Sequence, residues 1–236
     1  MSRSFDGLDD FVNCSNNSSI NNVATLTFCA WIYGNTFGEG SLGRIMNKDD
    51  GSGSGKIFIF DNANVTNGLT FNHGFSTSRG AWNKSNIVST GKWLHVAVTF
   101  DNSSDTNVPI FYVNFTDVGT LTESINSSGT ANNDNTQNLI FGSNVATTRS
   151  FDGLIAYIHY FNKILSVGEI NQVGKFPGSI RRGLVGFWPL PGSSSNEPDL
   201  SGNQNTGVVT GAIKGNTDPP INGIFQVPRP ELVRSF

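Results

Sequence analysis

The chain has 236 residues and a mass of 25.4 kDa, which suits one large β domain or two small domains. Only 14% of the residues are charged and the net charge is −3. The sequence therefore offers no basic field for nucleic acid phosphates, and we expect no nucleic acid partner. The 18 Phe residues exclude a disordered chain. No apolar run approaches the roughly 20 residues of a membrane span.

Alternation of apolar and polar residues dominates the sequence. Residues 25–33 and 93–100 alternate over their whole length, which is typical of strands with one face on a core. Shorter runs predict further strands at 11–14, 44–48, 56–61, 68–72, 110–114, 138–142, 153–161 and 184–188. Clusters of Gly, Asn, Ser and Asp separate these runs. Many short strands with turn signals between them predict an all-β sandwich or barrel.

One segment predicts a helix. Ser166 and Glu169 have the spacing of a capping box, in which the hydroxyl and the carboxylate each accept from the other residue's backbone N–H. We expect a helix of about two turns over 166–174, with Gly174 as its C-cap. The two cysteines, Cys14 and Cys29, are too few for a disulfide framework, and we expect buried free thiols.

The character of the chain changes at Asp218. Four prolines fall within 218–236, and proline keeps a segment extended and outside central strands. Apolar residues recur between the prolines: Ile224, Phe225, Val227, Leu232, Val233 and Phe236. We expect an extended C-terminal arm. It either packs on its own domain or anchors the domain to a partner protein.

Several segments resemble laminin G-like domains, a branch of the concanavalin A-like lectin and glucanase superfamily. The segments follow the family's order: SFDGLDDF at 4–11, FCAWI at 28–32, WLHVAVTFD at 93–101, FYVN at 111–114 and FDGLI at 151–155. The resemblance implies an all-β fold, a two-sheet antiparallel jelly-roll sandwich with one short helix.

The stretch GLVGFWPL at 183–190, with the segments at 199–203 and 206–211, resembles the family's usual beginning. Here it follows the remainder of the domain, which implies a circularly permuted domain over 1–217 that residues 183–213 complete. Two alternatives remain: this stretch begins a second domain, or it complements a neighbouring chain.

Two departures from the family pattern affect expected sites. Ala156 and Tyr157 replace an Asp-Glu pair whose Asp resembles a structural calcium ligand, so the resemblance gives that calcium site no support. The oxygen-bearing residues at 199–205 suit calcium or a plain Asx turn, and we favour the turn. We predict no metal site or cofactor.

Phe115 stands where relatives turn with Gly, so we expect that hairpin to turn differently.

Catalytic signals are absent from the sequence. The five Glu residues lie more than 20 positions apart, whereas glycosidases of this superfamily cluster their carboxylates. His95 and His159 fall on strands and are expected to be structural. We therefore predict that the chain is not an enzyme, and rank glycoside hydrolysis last among its functions.

The loop-like stretch around 73–82 is the candidate binding site. An indole stacks on the C–H faces of sugars, and Arg and His donate to hydroxyls, so His73, Arg79 and Trp82 form a plausible glycan contact set. The alternative is a solvated loop whose Trp packs inward.

The leading functional hypothesis joins the lectin-like fold to the arm. A lectin-type domain usually acts outside a cell, yet the sequence begins without an export signal. Release by lysis on a virus particle reconciles these features. We expect an oligomeric virion-surface protein of a bacteriophage, of decoration or fibre-associated type, bound to a capsid or other virion protein and adhering to glycans. The alternative is a free carbohydrate-binding lectin.

Overall fold

Two antiparallel β-sheets face each other in the computed structural model, which describes residues 1–222. The strands are β1 (Arg3–Asp6), β2 (Phe11–Asn13), β3 (Thr25–Gly34), β4 (Leu42–Lys48), β5 (Lys56–Asp61), β6 (Gly68–His73), β7 (Gly80–Lys84), β8 (Trp93–Asp101), β9 (Ile110–Val113), β10 (Thr116–Asp117), β11 (Thr122–Ile125), β12 (Ile140–Phe141), β13 (Asp152–Phe161), β14 (Leu184–Trp188), β15 (Asn196–Glu197), β16 (Gly207–Thr210) and β17 (Ile213–Lys214). The helix α1 spans Val167–Lys175. The predicted two-sheet antiparallel sandwich with one short helix is confirmed.

The first sheet has the order β10-β9-β8-β3-β13-β1-β17, and β14 also pairs with β13. The second sheet has the order β11-β7-β6-β5-β4-β12-β2-β16-β15. Within residues 1–222, no helix is long and apolar enough to cross a membrane.

The core between the sheets is rich in aromatic side chains. Phe28 of the first sheet meets Phe58 of the second edge to face, with ring centroids 6.2 Å apart, and Phe111 meets Phe58 at 5.7 Å. These rings are fully buried. Burial of each contributes roughly 1.5–3 kcal/mol to folding. A second apolar cluster lies on the outer face of the first sheet, where Ile170 and Val173 of α1 cover it.

All the strands predicted from alternation are present. Alternation did not predict β1, β7, β10, β11, β15, β16 or β17. Of these, β7 matters most for the candidate site, because its sequence GAWNK lies in the stretch expected to be a loop. It pairs with β6 and β11 on either side.

The helix begins as its capping box predicts. Ser166 is the N-cap, its hydroxyl accepts from the backbone N–H of Glu169, and the Glu169 carboxylate accepts from the Ser166 N–H at 2.8 Å. The expected C-cap role of Gly174 is wrong, because the helix continues to Lys175 and Phe176 takes the cap position. Gly174 instead makes room for packing, as a Cβ there would lie 2.2 Å from the Phe115 ring.

The hairpin between β9 and β10 also differs from expectation. Asn114 and Phe115 have φ angles of 48° and 70°, the left-handed pair of a tight two-residue turn. The expectation that Phe prevents this turn is wrong. The Phe115 ring packs against Trp31 and His95 at centroid distances of 6.0 and 4.7 Å, and these contacts offset the backbone strain.

The C-terminal strands complete the sheets of their own chain. β14 pairs with β13, β16 with β2 and β17 with β1. Arg3 of β1 and Glu197 of β15 form a buried ion pair, in which Arg3 Nε lies 2.6 Å from the carboxylate. Circular permutation of the family order stays a prediction.

Most of the predicted arm lies outside the described residues, including Ile224, Phe225, Val227, Leu232, Val233 and Phe236. In the described part, Ile221 packs against the cluster beneath α1, and the Asn222 N–H donates to the Lys175 carbonyl at 2.9 Å.

Candidate functional site

The predicted glycan contact set does not form a surface site. Trp82 is fully buried and packs against Phe71 and Phe100 in the core. Its ring also lies across Gly80, where a Cβ would come within 2.1 Å. The assignment of Trp82 as a stacking platform is therefore wrong: β7 is a strand, and alternation turns this side chain inward.

His73 is also a core residue, so its expected role as a glycan donor is wrong. It is 1% exposed, and its Nε2 lies 3.0 Å from the Asn102 side-chain amide. Burial lowers the pKa of His73 to about 3, so its ring is neutral at pH 7. Arg79 alone of the three is exposed.

Arg79 lines a cavity of about 280 Å³ on the outer face of the second sheet. Ile57 lies on that face because its neighbour Phe58 points into the core. Asn47, the register partner of Ile57 on β4, lines the same cavity. We call it the arginine cavity, because Arg44 and Arg149 join Arg79 in its wall.

A β-bulge places Arg44 in this wall. The register of β4 against β5 shifts between Arg44 and Met46. As a result, the consecutive residues Ile45 and Met46 both pack in the core, and Arg44 and Asn47 both line the cavity. A bulge commonly redirects side chains in this way beside functional sites.

Asp49 builds one rim of the cavity. Its carboxylate accepts backbone N–H groups of Gly51 at 2.7 Å, Gly53 at 3.4 Å and Gly55 at 2.7 Å. Asp50 accepts from the Ser52 N–H at 3.0 Å. Both carboxylates thus hold the loop in shape.

The opposite rim is the loop 144–149. The Asn144 side-chain oxygen accepts from the Thr148 N–H at 2.8 Å, and the Arg149 carbonyl accepts from the Arg44 N–H at 3.1 Å. The loop is therefore fixed to β4. Val145, 58% exposed, adds an apolar contact surface at this rim.

The three guanidinium groups of the arginine cavity form no ion pair within the described chain, although Asp49 and Asp61 lie near enough to Arg44 to attract its charge. The Arg44 Nε is buried without a hydrogen-bond partner in the protein. Burial, and then the like charge of Arg149, lower the pKa of Arg44 to about 10. The wall thus combines three guanidinium groups with the carboxylates of Asp49 and Asp50, and Arg44 remains protonated at pH 7.

A second cavity of about 290 Å³ lies on the outer face of the first sheet. Tyr33 and Lys214 line it together with Asn35 and Asn216. The Tyr33 ring meets Trp93 edge to face at 5.9 Å. This surface carries an aromatic ring and amides, but one ammonium group in place of three guanidinium groups.

Other chemistry-bearing groups have structural roles. His159 is buried, with Nδ1 2.9 Å from the Tyr157 carbonyl and Nε2 accepting from the Gly178 N–H at 3.0 Å. Burial likewise lowers the pKa of His95 to about 3.

Two clusters of side-chain oxygen atoms have the ligand type that a metal ion such as calcium would need. Asp199 accepts from the Ser201 N–H at 2.9 Å and the Asn205 N–H at 3.0 Å, which is the favoured Asx turn. Carboxylates of Asp6 at the end of β1 and of Asp9 and Asp10 in the loop that follows lie within 4.8 Å of one another. Asp10 accepts the Asp6 N–H there, and burial raises the pKa of Asp10.

A family model described as the concanavalin A-like lectin/glucanases superfamily, of laminin G type, matches residues 6–171. The chain belongs to this superfamily. No curated protein sequence matches the chain. The match confirms the resemblance to a laminin G-like domain and makes the chain a lectin-like domain.

Two solved structures share the fold. One is described as a candidate carbohydrate-binding protein from Bacteroides ovatus, with 19% identity and a TM-score of 0.69 over 93% of this chain. The chain spans 60% of that protein's length. The other is a heptameric pentraxin from Limulus polyphemus, with 14% identity, a TM-score of 0.51, and coverage of 88% of this chain and 93% of the pentraxin. At these identities the likenesses show the fold alone.

Proposed function

We propose that this lectin-like domain binds carbohydrate in the arginine cavity and is not an enzyme. The observation that carries the proposal is the composition of the cavity: an aliphatic floor at Ile57 with guanidinium and amide groups around it. Sugars present C–H faces and hydroxyl groups together, and such mixed walls accommodate both. The similar protein from Bacteroides ovatus is described as a candidate carbohydrate-binding protein, which supports the same class of ligand.

The acidic groups of the cavity support a non-catalytic role. Glycoside hydrolysis needs two carboxyl groups placed on either side of the scissile bond. Asp49 and Asp50 instead accept backbone N–H groups of their own loop. Because these carboxylates accept backbone hydrogen bonds, their role is to hold the rim of the cavity in shape.

The test is a binding measurement with matched variants. A glycan array identifies a ligand, and calorimetry then compares the wild-type chain with Arg79→Gln and the control Arg182→Gln. Arg182 is exposed and lies outside the cavity wall. We expect Arg79→Gln to weaken binding at least about tenfold, because hydrogen bonds from a charged donor contribute about 1.5–3 kcal/mol. The control variant should bind as the wild type does.

The variant Tyr33→Ala shows which of the two cavities the ligand occupies. If Tyr33→Ala removes binding and Arg79→Gln does not, the ligand occupies the second cavity and the proposed site is wrong. If no glycan on the array binds, the proposed function itself fails. The melting temperature of each variant shows whether a loss of binding reflects unfolding.

We also propose that the domain acts on the surface of a virus particle, in an oligomeric assembly that the arm 218–236 joins to a capsid or other virion protein. The support comes from the sequence, in which apolar residues recur among the four prolines of the arm. Proline limits the entropy that the arm would lose on docking.

Deletion of residues 223–236 tests this placement. The deletion spares Ile221 and Asn222, which contact the domain. We expect a folded domain with unchanged glycan binding that no longer co-sediments with its particle. Undiminished incorporation would show that the arm is not the anchor, and a free lectin would show no particle association at all.

A further inference from the structure

The arginine cavity has three guanidinium groups against two carboxylates, Asp49 and Asp50, and these carboxylates already accept backbone hydrogen bonds within their own loop. Hydroxyl groups are satisfied by amides and carbonyls as well as by guanidinium groups. Here Arg44, Arg79 and Arg149 come from three separate parts of the chain and share one wall. None of the three has an ion-pair partner within the described chain.

The half-buried Arg44 is the most informative of the three. Its guanidinium makes one long contact, from Nη1 to the Leu42 carbonyl at 3.5 Å, and its Nε has no partner in the protein. A buried charge without a partner is costly to the folded state. The bulge in β4 nevertheless directs this side chain to the cavity wall. An anionic ligand group would supply the missing partner.

We propose that the ligand is an acidic saccharide, whose oxyanion group, a carboxylate, sulfate or phosphate, is bound by Arg44, Arg79 and Arg149. This inference rests on the proposed function and names its ligand class. Guanidinium groups bind such oxyanions through paired hydrogen bonds that are shorter and stronger than neutral ones. The volume of about 280 Å³ is at the lower end for ligand pockets, which suits a terminal acidic sugar.

The experiment uses matched pairs of glycans on one array. Each neutral saccharide is printed beside the same saccharide bearing a uronate carboxylate, a sulfate or a phosphate. We expect binding to acidic members at least about tenfold tighter than to their neutral counterparts. The array separates the three oxyanions, because each acidic member carries one kind.

The acidic ligand is then titrated against Arg149→Gln and the control Arg182→Gln. Arg149→Gln should reduce the preference for the acidic member at least about tenfold. Its affinity for the neutral member should change less. Arg182→Gln, which removes the same charge from a site outside the cavity, should leave the preference unchanged.

Each outcome decides between the two proposals. Equal binding of neutral and acidic members overturns the anion inference and leaves carbohydrate binding intact. An unchanged acidic preference in Arg149→Gln shows that Arg149 does not bind the oxyanion, and an equal loss in the control shows that net charge is responsible. Either result overturns the inference. Binding to no member of the array overturns the proposed function together with it.

Discussion

At the residue scale, two lysines share one buried aspartate. Lys48, Lys56 and Asp134 are each at most 1% exposed. Lys56 forms an ion pair with Asp134, and the Lys48 Nζ donates to the Asp134 carbonyl at 2.8 Å and the Gln137 carbonyl at 2.6 Å. Burial lowers the pKa of Lys48 to about 8. Burial would raise the pKa of Asp134, but the two lysines offset it and the net shift is downward.

Asp134→Asn should therefore destabilise the protein strongly. The substitution preserves the shape of the side chain and leaves two buried ammonium groups without a counter-ion. Breaking a buried pair in this way costs about 3–5 kcal/mol. The control is Asp218→Asn, which removes an exposed pair with the N-terminus and should cost less than about 1 kcal/mol. Urea denaturation measures both, and equal losses would contradict the assigned role of Asp134.

Individual residues also show what the sequence could not predict. The Gly and Ser residues that precede Trp82 predict a loop there. The burial of Trp82 depends on pairing of β7 with β6 and β11, which are set by the whole sheet. Phe115 was expected to avoid a left-handed turn, and only its distant contacts with Trp31 and His95 explain why it does not.

At the scale of elements, the two ends of α1 have different causes: local sequence determines where the helix begins, and tertiary packing determines where it ends. Its start was predictable because the capping box of Ser166 and Glu169 is local. Its end was not, because Gly174 is placed by packing. The Gly174 carbonyl accepts the Trp31 indole N–H at 2.8 Å, and its Cα faces Phe115 and His95.

Two glycines of this helix should therefore respond in opposite ways to alanine. At Gly174 a Cβ would lie 2.2 Å from Phe115 and 2.8 Å from His95, so Gly174→Ala should cost about 1–3 kcal/mol of stability. At the exposed Gly168 a Cβ would meet only the Ser166 hydroxyl at 4.0 Å. Gly168→Ala should stabilise by up to about 1 kcal/mol through helix propensity. Thermal denaturation measures both variants. A higher melting temperature for Gly174→Ala would contradict the close packing described for Gly174.

At the scale of the whole molecule, three buried histidines make folding sensitive to acid. Burial lowers the pKa values of His73, His95 and His159 from 6.5 to about 3. Between those values the unfolded chain binds more protons than the folded one. Burial of these three rings in their neutral form therefore contributes fully to the free energy of unfolding above pH 6.5. That contribution is lost as the pH falls towards 3.

We predict that the free energy of unfolding falls by up to about 4 kcal/mol for each pH unit of acidification, when the three histidines act together. Since domains are stable by about 5–15 kcal/mol, we expect unfolding between about pH 5 and 3. The urea midpoint, measured from pH 8 to 4, should change little above pH 7 and fall steeply below 6. A constant midpoint down to pH 5 would mean that these rings are not held neutral by burial.

The site itself is a property of the whole fold. Sequence reasoning identified the sandwich because alternation and family motifs run through the chain. It identified Arg79 alone from the arginine cavity. Arg44 and Arg149 lie far from Arg79 in sequence, and only the sheet and the bulge in β4 bring them to one wall. A single arginine within a strand pattern gives no sign of that convergence.

The most direct test of the account is to locate a bound saccharide by amide chemical-shift mapping. The labelled protein is titrated with the tightest glycan from the array. We predict that the shifts concentrate at residues 44–57, Arg79 and 144–149, around the arginine cavity. Shifts centred instead on Tyr33 and 213–217, or spread evenly over the chain, would contradict carbohydrate binding at this site.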